Sequence, residues 1–108
     1  MTQELQQGPL AEVIEGLVAV LQPERIYLFG SQARGDATEH SDYDLLVVVP
    51  RADEPGYRLS QRAHSLIWGM GISVDILVWT RDAFDRRLHI KASLPATVVR
   101  EGRLLYAA

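Results

Sequence analysis

Apolar residues recur every three or four positions in two stretches of the chain, and this spacing is typical of helices with one buried face. The first stretch predicts a helix over about residues 9–21, which Pro23 stops. The second opens at 53–55 and ends at Gly69. The two apolar faces consist of Leu10, Val13, Ile14, Leu17, Val18 and Leu21, and of Leu59, Ala63, Leu66, Ile67 and Met70.

Continuous aliphatic and aromatic runs predict three strands. Strand one covers Arg25–Phe29 and ends at Gly30, and strand two covers Tyr43–Val49. Strand three covers Ile72–Trp79. Because a helix joins strands two and three, the right-handed crossover rule makes them parallel. The run Leu45–Val49 has no polar alternation, so strand two is expected in the centre of the sheet.

Weaker signals follow strand three. Thr80 can cap a short helix, and a further helix is predicted over about residues 94–100 with Gly102 as its stop. Residues 103–106 can form an edge strand. Together these elements predict an α/β (α+β) fold in one domain, 1–108, with a mixed sheet of three to four strands and helices packed mainly on one face.

The composition changes this picture little. A chain of 108 residues with 47% apolar and 23% charged residues fits one globular domain. Its longest aliphatic run is far shorter than the roughly 20 residues of a membrane helix. The first basic residue is Arg25, which argues against a basic leader, and the lack of cysteine excludes disulfides and thiolate metal sites. We therefore expect a cytoplasmic protein.

The charge distribution argues against long nucleic acid as the main partner. The formal net charge is −3, whereas binding many phosphates requires clustered Lys and Arg. Residues 1–54 hold 10 acidic and 3 basic residues, and residues 55–108 hold 4 acidic and 8 basic ones. The second half, rich in Arg, is either a solvated surface or a contact surface for a partner.

Three aspartates are the candidates for chemistry. Asp42 and Asp44 open strand two, and the alternation of side chains along a strand puts both carboxylates on one face. Such a pair suits a divalent metal with oxygen ligands; alternatively, one acid caps a turn and the other is solvated. Asp75 lies in the hydrophobic run of strand three, where burying an acid is costly unless it is paired. Parallel strands bring all three acids to one end of the sheet.

The turn after strand one reaches the same end if strands one and two are antiparallel. Gly30 and Ser31 offer backbone N–H groups and a hydroxyl to a phosphate oxygen. Arg34 either binds a phosphate or ties the loop by pairing with Asp36 or Glu39.

Other polar and aromatic residues have plainer interpretations. Trp68 and Trp79 lie at element ends, where they complete a core or an interface or, alternatively, stack on adenine. The histidines lack the spacing of a zinc site. The basic residues of 81–91 form a solvated helix face or contact a partner.

The residues carry a resemblance to a known family. Gly30-Ser31-x-x-Arg34-Gly35, then Ser41-Asp42-x-Asp44 on an aliphatic strand, then Asp75 in the next strand, resembles the signature of the DNA polymerase β-type nucleotidyltransferase superfamily. The short length and the ending Gly-Arg-Leu-Leu-Tyr resemble the minimal nucleotidyltransferase (MNT) antitoxins, many of which are encoded beside a helical HEPN toxin.

The resemblance implies a polymerase β-like fold and transfer of AMP from ATP to an acceptor hydroxyl, with a tyrosine of a HEPN toxin as the expected acceptor. Asp42 and Asp44 would bind two Mg²⁺ ions, and Asp75 would bind the catalytic metal and help to activate the hydroxyl. Gly30 and Ser31 would hold the triphosphate tail, with Arg34 as a further candidate for nucleotide binding.

Three functions remain open at this point. The protein adenylylates a toxin partner, modifies a small molecule or an RNA end, or acts as a non-catalytic antitoxin by binding alone. The complete set of acids favours the first two. A single small domain offers a small substrate only a shallow pocket, which favours a protein acceptor.

Overall fold

The computed structural model describes residues 8–36, 42–51 and 56–108. Within these ranges the chain forms five helices and four strands. The helices are α1 (Gly8–Leu21), α2 (Ser31–Arg34), α3 (Gly56–Ile67), α4 (Arg81–Arg87) and α5 (Leu94–Glu101), and the strands are β1 (Arg25–Phe29), β2 (Tyr43–Val49), β3 (Val74–Thr80) and β4 (Arg103–Ala107).

The predicted elements are present with small shifts at their ends. β1 and β2 have the predicted bounds. β3 begins at Val74 instead of Ile72, because its pairing with β2 starts where Val74 lies opposite Tyr43, the first residue of β2. The predicted opening of the second helix, 53–55, lies outside the described residues, and α3 ends at Ile67.

The four strands form one mixed sheet in the order β3-β2-β1-β4. β2 pairs in parallel with β3 and antiparallel with β1, and β1 pairs antiparallel with β4. The predicted parallel crossover, the central position of β2 and the edge strand at the carboxyl terminus are therefore confirmed. Leu45–Val49 are each no more than 2% exposed, as expected for a strand covered on both faces.

Two layers of helices cover the sheet unequally. The first face carries the larger core, in which α1 and α3 pack on alternate residues of the strands, such as Ile26, Leu45 and Val47. The second face carries a smaller core, in which Phe84 of α4 and Val98 of α5 pack against the strand residues that point to this face. These are Tyr27, Leu46 and Val48. The prediction of helices mainly on one face agrees with this arrangement.

The short helices leave part of the second face open. Phe84 stacks on Tyr27 with ring centroids 5.8 Å apart, so α4 covers the half of the sheet where β1 begins and β2 ends. Leu77 lies on the same face in the edge strand β3, in register with Leu46 and Tyr27, and is 41% exposed. The second face is therefore open along β3, next to Asp75, which lies two residues before Leu77. None of the helices in the described ranges has the length and apolar character needed to cross a bilayer.

Candidate functional site

The register of the sheet brings the acids to one place. Asp44 lies directly opposite Asp75 on β3 and opposite Phe29, the last residue of β1. Asp44 alternates with the buried residues Leu46 and Val48 of the second core, so its side chain shares their face. We call the end of the sheet where β1 finishes and where β2 and β3 begin the acidic end. It borders the open part of the second face.

The charges at the acidic end interact. The pKa of Asp44 is raised above its usual value of 3.8, first by partial burial and then by the negative charges of Asp75 and Asp42. The guanidinium of Arg34 acts in the opposite direction and lowers it. Asp75, Asp42 and Arg34 thus each lie close enough to Asp44 to act on its carboxylate. Like-charged carboxylates held together in this way favour the arrival of a cation.

Gly30 is required at its position for two reasons. Its backbone has φ +77° and ψ −157°, a region that is essentially restricted to glycine. A Cβ built on Gly30 would overlap the Oδ2 atom of Asp44, so the carboxylate occupies the space of the missing side chain. The turn and the acid are therefore in direct contact.

The turn itself is the single-turn helix α2. The carbonyl oxygen of Gly30 accepts hydrogen bonds from the backbone N–H groups of Ala33 and Arg34, each at 3.1 Å. Gly30 has no side chain to cap the first N–H groups of α2, and N–H groups at a helix start point outward along the axis. Ser31 is the first residue of α2 and is half-buried. The turn is thus placed to offer donors next to Asp44.

The sequence left two roles open for Arg34, binding a phosphate or tying the loop by an ion pair. The structure shows the ion pair. Its Nε donates to Oδ2 of Asp36 at 3.3 Å, and both side chains are largely exposed. This contact ties the loop locally. An exposed pair of this kind contributes little to stability, so the guanidinium can turn toward a phosphate at little cost. The alternative partner Glu39 lies outside the described residues, as do His40 and Ser41.

The described residues at the acidic end fit a hard divalent cation in their chemistry, but by themselves they do not form a closed cage. In the described part of the chain, no three Asp, Glu, His or Cys side chains are already arranged to hold a metal ion. Asp42 and Asp75 are exposed and free to reorient toward a cation. Mg²⁺ commonly uses one or two protein carboxylates and completes its octahedron with waters and substrate phosphates. The donor set therefore fits a metal that arrives with a nucleotide.

Some features of the site were not predicted from the sequence. The exposed Leu77 beside the acids was not predicted. The alternation of Asp75, Leu77 and Trp79 along β3 could have placed Leu77 on the same face as Asp75. Trp79 packs on the second core, and the guanidinium of Arg87 lies 5.4 Å from its ring centroid. Trp68, by contrast, is 89% exposed and belongs to neither core.

Comparison with known proteins gives consistent findings. The family profile described as "Nucleotidyltransferase domain" matches residues 10–104. A protein of Methanocaldococcus jannaschii named "Putative protein adenylyltransferase" is 35% identical over 83 residues, which is 77% of this chain and 78% of the relative.

Two solved structures share the fold. A "putative nucleotidyltransferase" from Sulfolobus solfataricus superposes with a TM-score of 0.64 at 25% identity, covering 92% of this chain and 78% of that one. A chain from the complex of the tri-AMPylated HEPN toxin of Shewanella oneidensis with its MNT antitoxin has a TM-score of 0.51 at 19% identity, covering 100% of this chain and 74% of that one. At 19% identity the second likeness concerns the fold alone.

Proposed function

Because the chain belongs to the nucleotidyltransferase domain family, we propose that this nucleotidyltransferase moves AMP from ATP to a tyrosine hydroxyl of a HEPN-type toxin and so acts as its antitoxin. The observation that carries the proposal is the approach of Asp42, Asp44 and Asp75 beside the Gly30 turn, on an open sheet face. The name of the M. jannaschii relative and the toxin complex with the shared fold support a protein acceptor. ATP as the substrate is consistent with a cytoplasmic protein.

Each residue of the site has a distinct proposed role in the transfer. Gly30 and Ser31 hold the triphosphate tail at the start of α2, and Arg34 adds a charge-assisted contact to a phosphate oxygen. Asp42 and Asp44 would hold two Mg²⁺ ions, which would supply neutralisation of the charge that develops during phosphoryl transfer. Asp75, the register partner of Asp44 on the neighbouring strand, would bind the catalytic metal and help to activate the acceptor hydroxyl by receiving its proton.

The reaction balances as an in-line displacement. The acceptor oxygen forms a bond to the α-phosphorus of ATP, and the bond from that phosphorus to the oxygen bridging to the β-phosphorus breaks. Pyrophosphate leaves with the electron pair, and the hydroxyl proton passes to a base. A tyrosine suits this site because its hydroxyl extends far from the backbone and can reach an open sheet face from a partner molecule.

Intact-mass spectrometry tests the proposal directly. The purified protein is incubated with the HEPN-type protein encoded beside its gene, ATP and Mg²⁺. The expected result is a mass gain of one or more AMP units on that protein, located on tyrosine by peptide mapping. The gain should disappear with Asp42→Asn. No gain, or a gain that persists in the variant, would contradict the proposed activity.

Nucleotide and metal should bind together. Three carboxylates repel a bare triphosphate, whereas Mg²⁺ bridges the two, so ATP is expected to bind at least about tenfold more tightly with Mg²⁺ than with EDTA, a difference of about 1.4 kcal/mol. Titration calorimetry measures this. The Asp42→Asn variant should show a smaller difference, and equal affinity with and without the metal in the unmodified protein would refute the coupling.

A further inference from the structure

The most exposed large apolar side chain in the described residues is Trp68, just beyond the end of α3. It lines a hollow of about 790 Å³, which we call the Trp68 hollow. Exposed tryptophans of this kind are rare on a free surface and are enriched at the centres of protein interfaces. The hollow is lined by His64, Ile67, Trp68, Gly69, Gly71, Ile72, Ser73 and Val74.

The Trp68 hollow adjoins the acidic end of the sheet. The carbonyl oxygen of Ser73 accepts a hydrogen bond of 3.0 Å from the backbone N–H of Tyr43, the residue between Asp42 and Asp44. Val74, which also lines the hollow, lies opposite Tyr43 and directly precedes Asp75. Val74 belongs to the core of the first face, and Asp75 points to the second face. Val74 and Asp75 are adjacent residues whose side chains lie on opposite faces, so the hollow and the acids lie on opposite sides of the same strand end.

The lining of the hollow selects the kind of ligand. Four large apolar residues line it, namely Trp68, Ile67, Ile72 and Val74, together with one His and one Ser. Among the described residues that line it, none is Lys, Arg, Asp or Glu. Nucleic acid binding depends on basic groups that neutralise phosphates, so this surface does not suit RNA. Apolar side chains of a protein do suit it.

A small acceptor bound in the hollow could not reach Asp75, which faces the other side of the sheet. A protein is large enough to contact both faces by wrapping around the acidic end. We propose that the Trp68 hollow is the docking surface for the protein that accepts AMP, which inserts an apolar side chain there while its hydroxyl reaches Asp75 on the opposite face. This inference rests on the proposed function, because it assumes a protein acceptor.

A second hollow on the same helix provides a matched control. It has a volume of about 750 Å³ and is lined by Val20, Tyr57, Leu66 and polar residues that include Arg58 and Arg62. Tyr57 lies near the start of α3 and is 62% exposed. Trp68 lies eleven positions further along the chain, which corresponds to roughly 16 Å along a helix. α3 returns the chain to the acidic end, so Tyr57 lies toward the other end of the sheet.

The test compares Trp68→Ala with Tyr57→Ala. Binding to the HEPN-type protein encoded beside the gene is measured by calorimetry without nucleotide, and the KM for that protein and kcat are measured separately. Trp68→Ala is expected to weaken binding and raise KM by at least about 30-fold, as for an interface hot spot, with kcat at saturation nearly unchanged. Tyr57→Ala should change either value by less than about twofold. Circular dichroism and the affinity for Mg²⁺–ATP should be unchanged in both variants.

The outcomes separate the docking surface from the proposed activity. Normal binding by Trp68→Ala, or a stronger loss in Tyr57→Ala, overturns the docking surface even if AMP is transferred. Binding that depends on Trp68 without any AMP transfer upholds the docking surface and overturns the activity. An unmodified protein that does not bind the HEPN-type protein overturns both.

Discussion

Asp44→Asn is expected to abolish AMP transfer while making the protein more stable in the absence of metal. The substitution keeps the shape of the side chain but removes its charge. Transfer should fall by at least about 10²- to 10³-fold, the loss typical of removing one preorganised electrostatic group. Stability should rise because the Asp44 carboxylate is partly buried and faces the charges of Asp75 and Asp42.

The pH dependence follows from the raised pKa of Asp44. Between its usual value of 3.8 and the raised value, the native state binds more protons at this group than the unfolded state. The stability contributed by Asp44 is thus fully present below pH 3.8 and is lost as the pH rises through the native pKa. Asparagine does not ionise, so the variant avoids this loss at neutral pH.

Urea denaturation in EDTA at neutral and at acidic pH measures the effect on stability. Asp44→Asn should be more stable than the unmodified protein at pH 7, and the advantage should vanish near pH 3. Mg²⁺–ATP should stabilise the unmodified protein more than the variant. The control is Asp82→Asn, an exposed acid in the first turn of α4, which should keep its transfer activity and gain no stability. A destabilised Asp44→Asn would disprove the electrostatic picture.

Gly30→Ala is expected to lose both activity and stability. The backbone of Gly30 occupies a region essentially closed to other residues, which should cost about 1–3 kcal/mol. The added methyl group must also displace the carboxylate of Asp44, which would move a proposed metal ligand. We therefore expect a drop in the free energy of unfolding together with a loss of transfer comparable to that of Asp44→Asn.

Gly35→Ala introduces backbone strain without displacing the carboxylate of Asp44, so it separates these two effects of Gly30→Ala. Gly35 has φ +84° and ψ 10°, a left-handed conformation, but a Cβ there would meet nothing within 4 Å. This variant should lose about 1–2 kcal/mol of stability yet retain most of its transfer activity. Chemical denaturation and initial rates at saturating Mg²⁺–ATP measure the two effects. If Gly35→Ala lost as much activity as Gly30→Ala, the contact with Asp44 would not be the cause.

The local pattern predicted most of the fold. The apolar run of Leu45–Val49 indicated a central strand, and the two helical periods indicated the layer that covers the first face. The spacing of apolar residues and the length of apolar runs predict these elements because burying apolar surface is the main driving force for folding. The boundary of β3 could not be predicted in this way, since a strand begins where a partner strand is available, here opposite Tyr43.

The sequence by itself determined which groups are available at the candidate site. Asp42 and Asp44, two residues apart on a strand, must share a face, and Gly30 marked a turn. Only the tertiary structure decided that Asp75 lies opposite Asp44, because strand register depends on pairing between distant segments. The structure also decided that the Asp44 carboxylate fills the space beside Gly30, and that the Trp68 hollow adjoins the acidic end across β3. Such contacts arise from packing between elements, and local periodicity carries no information about them.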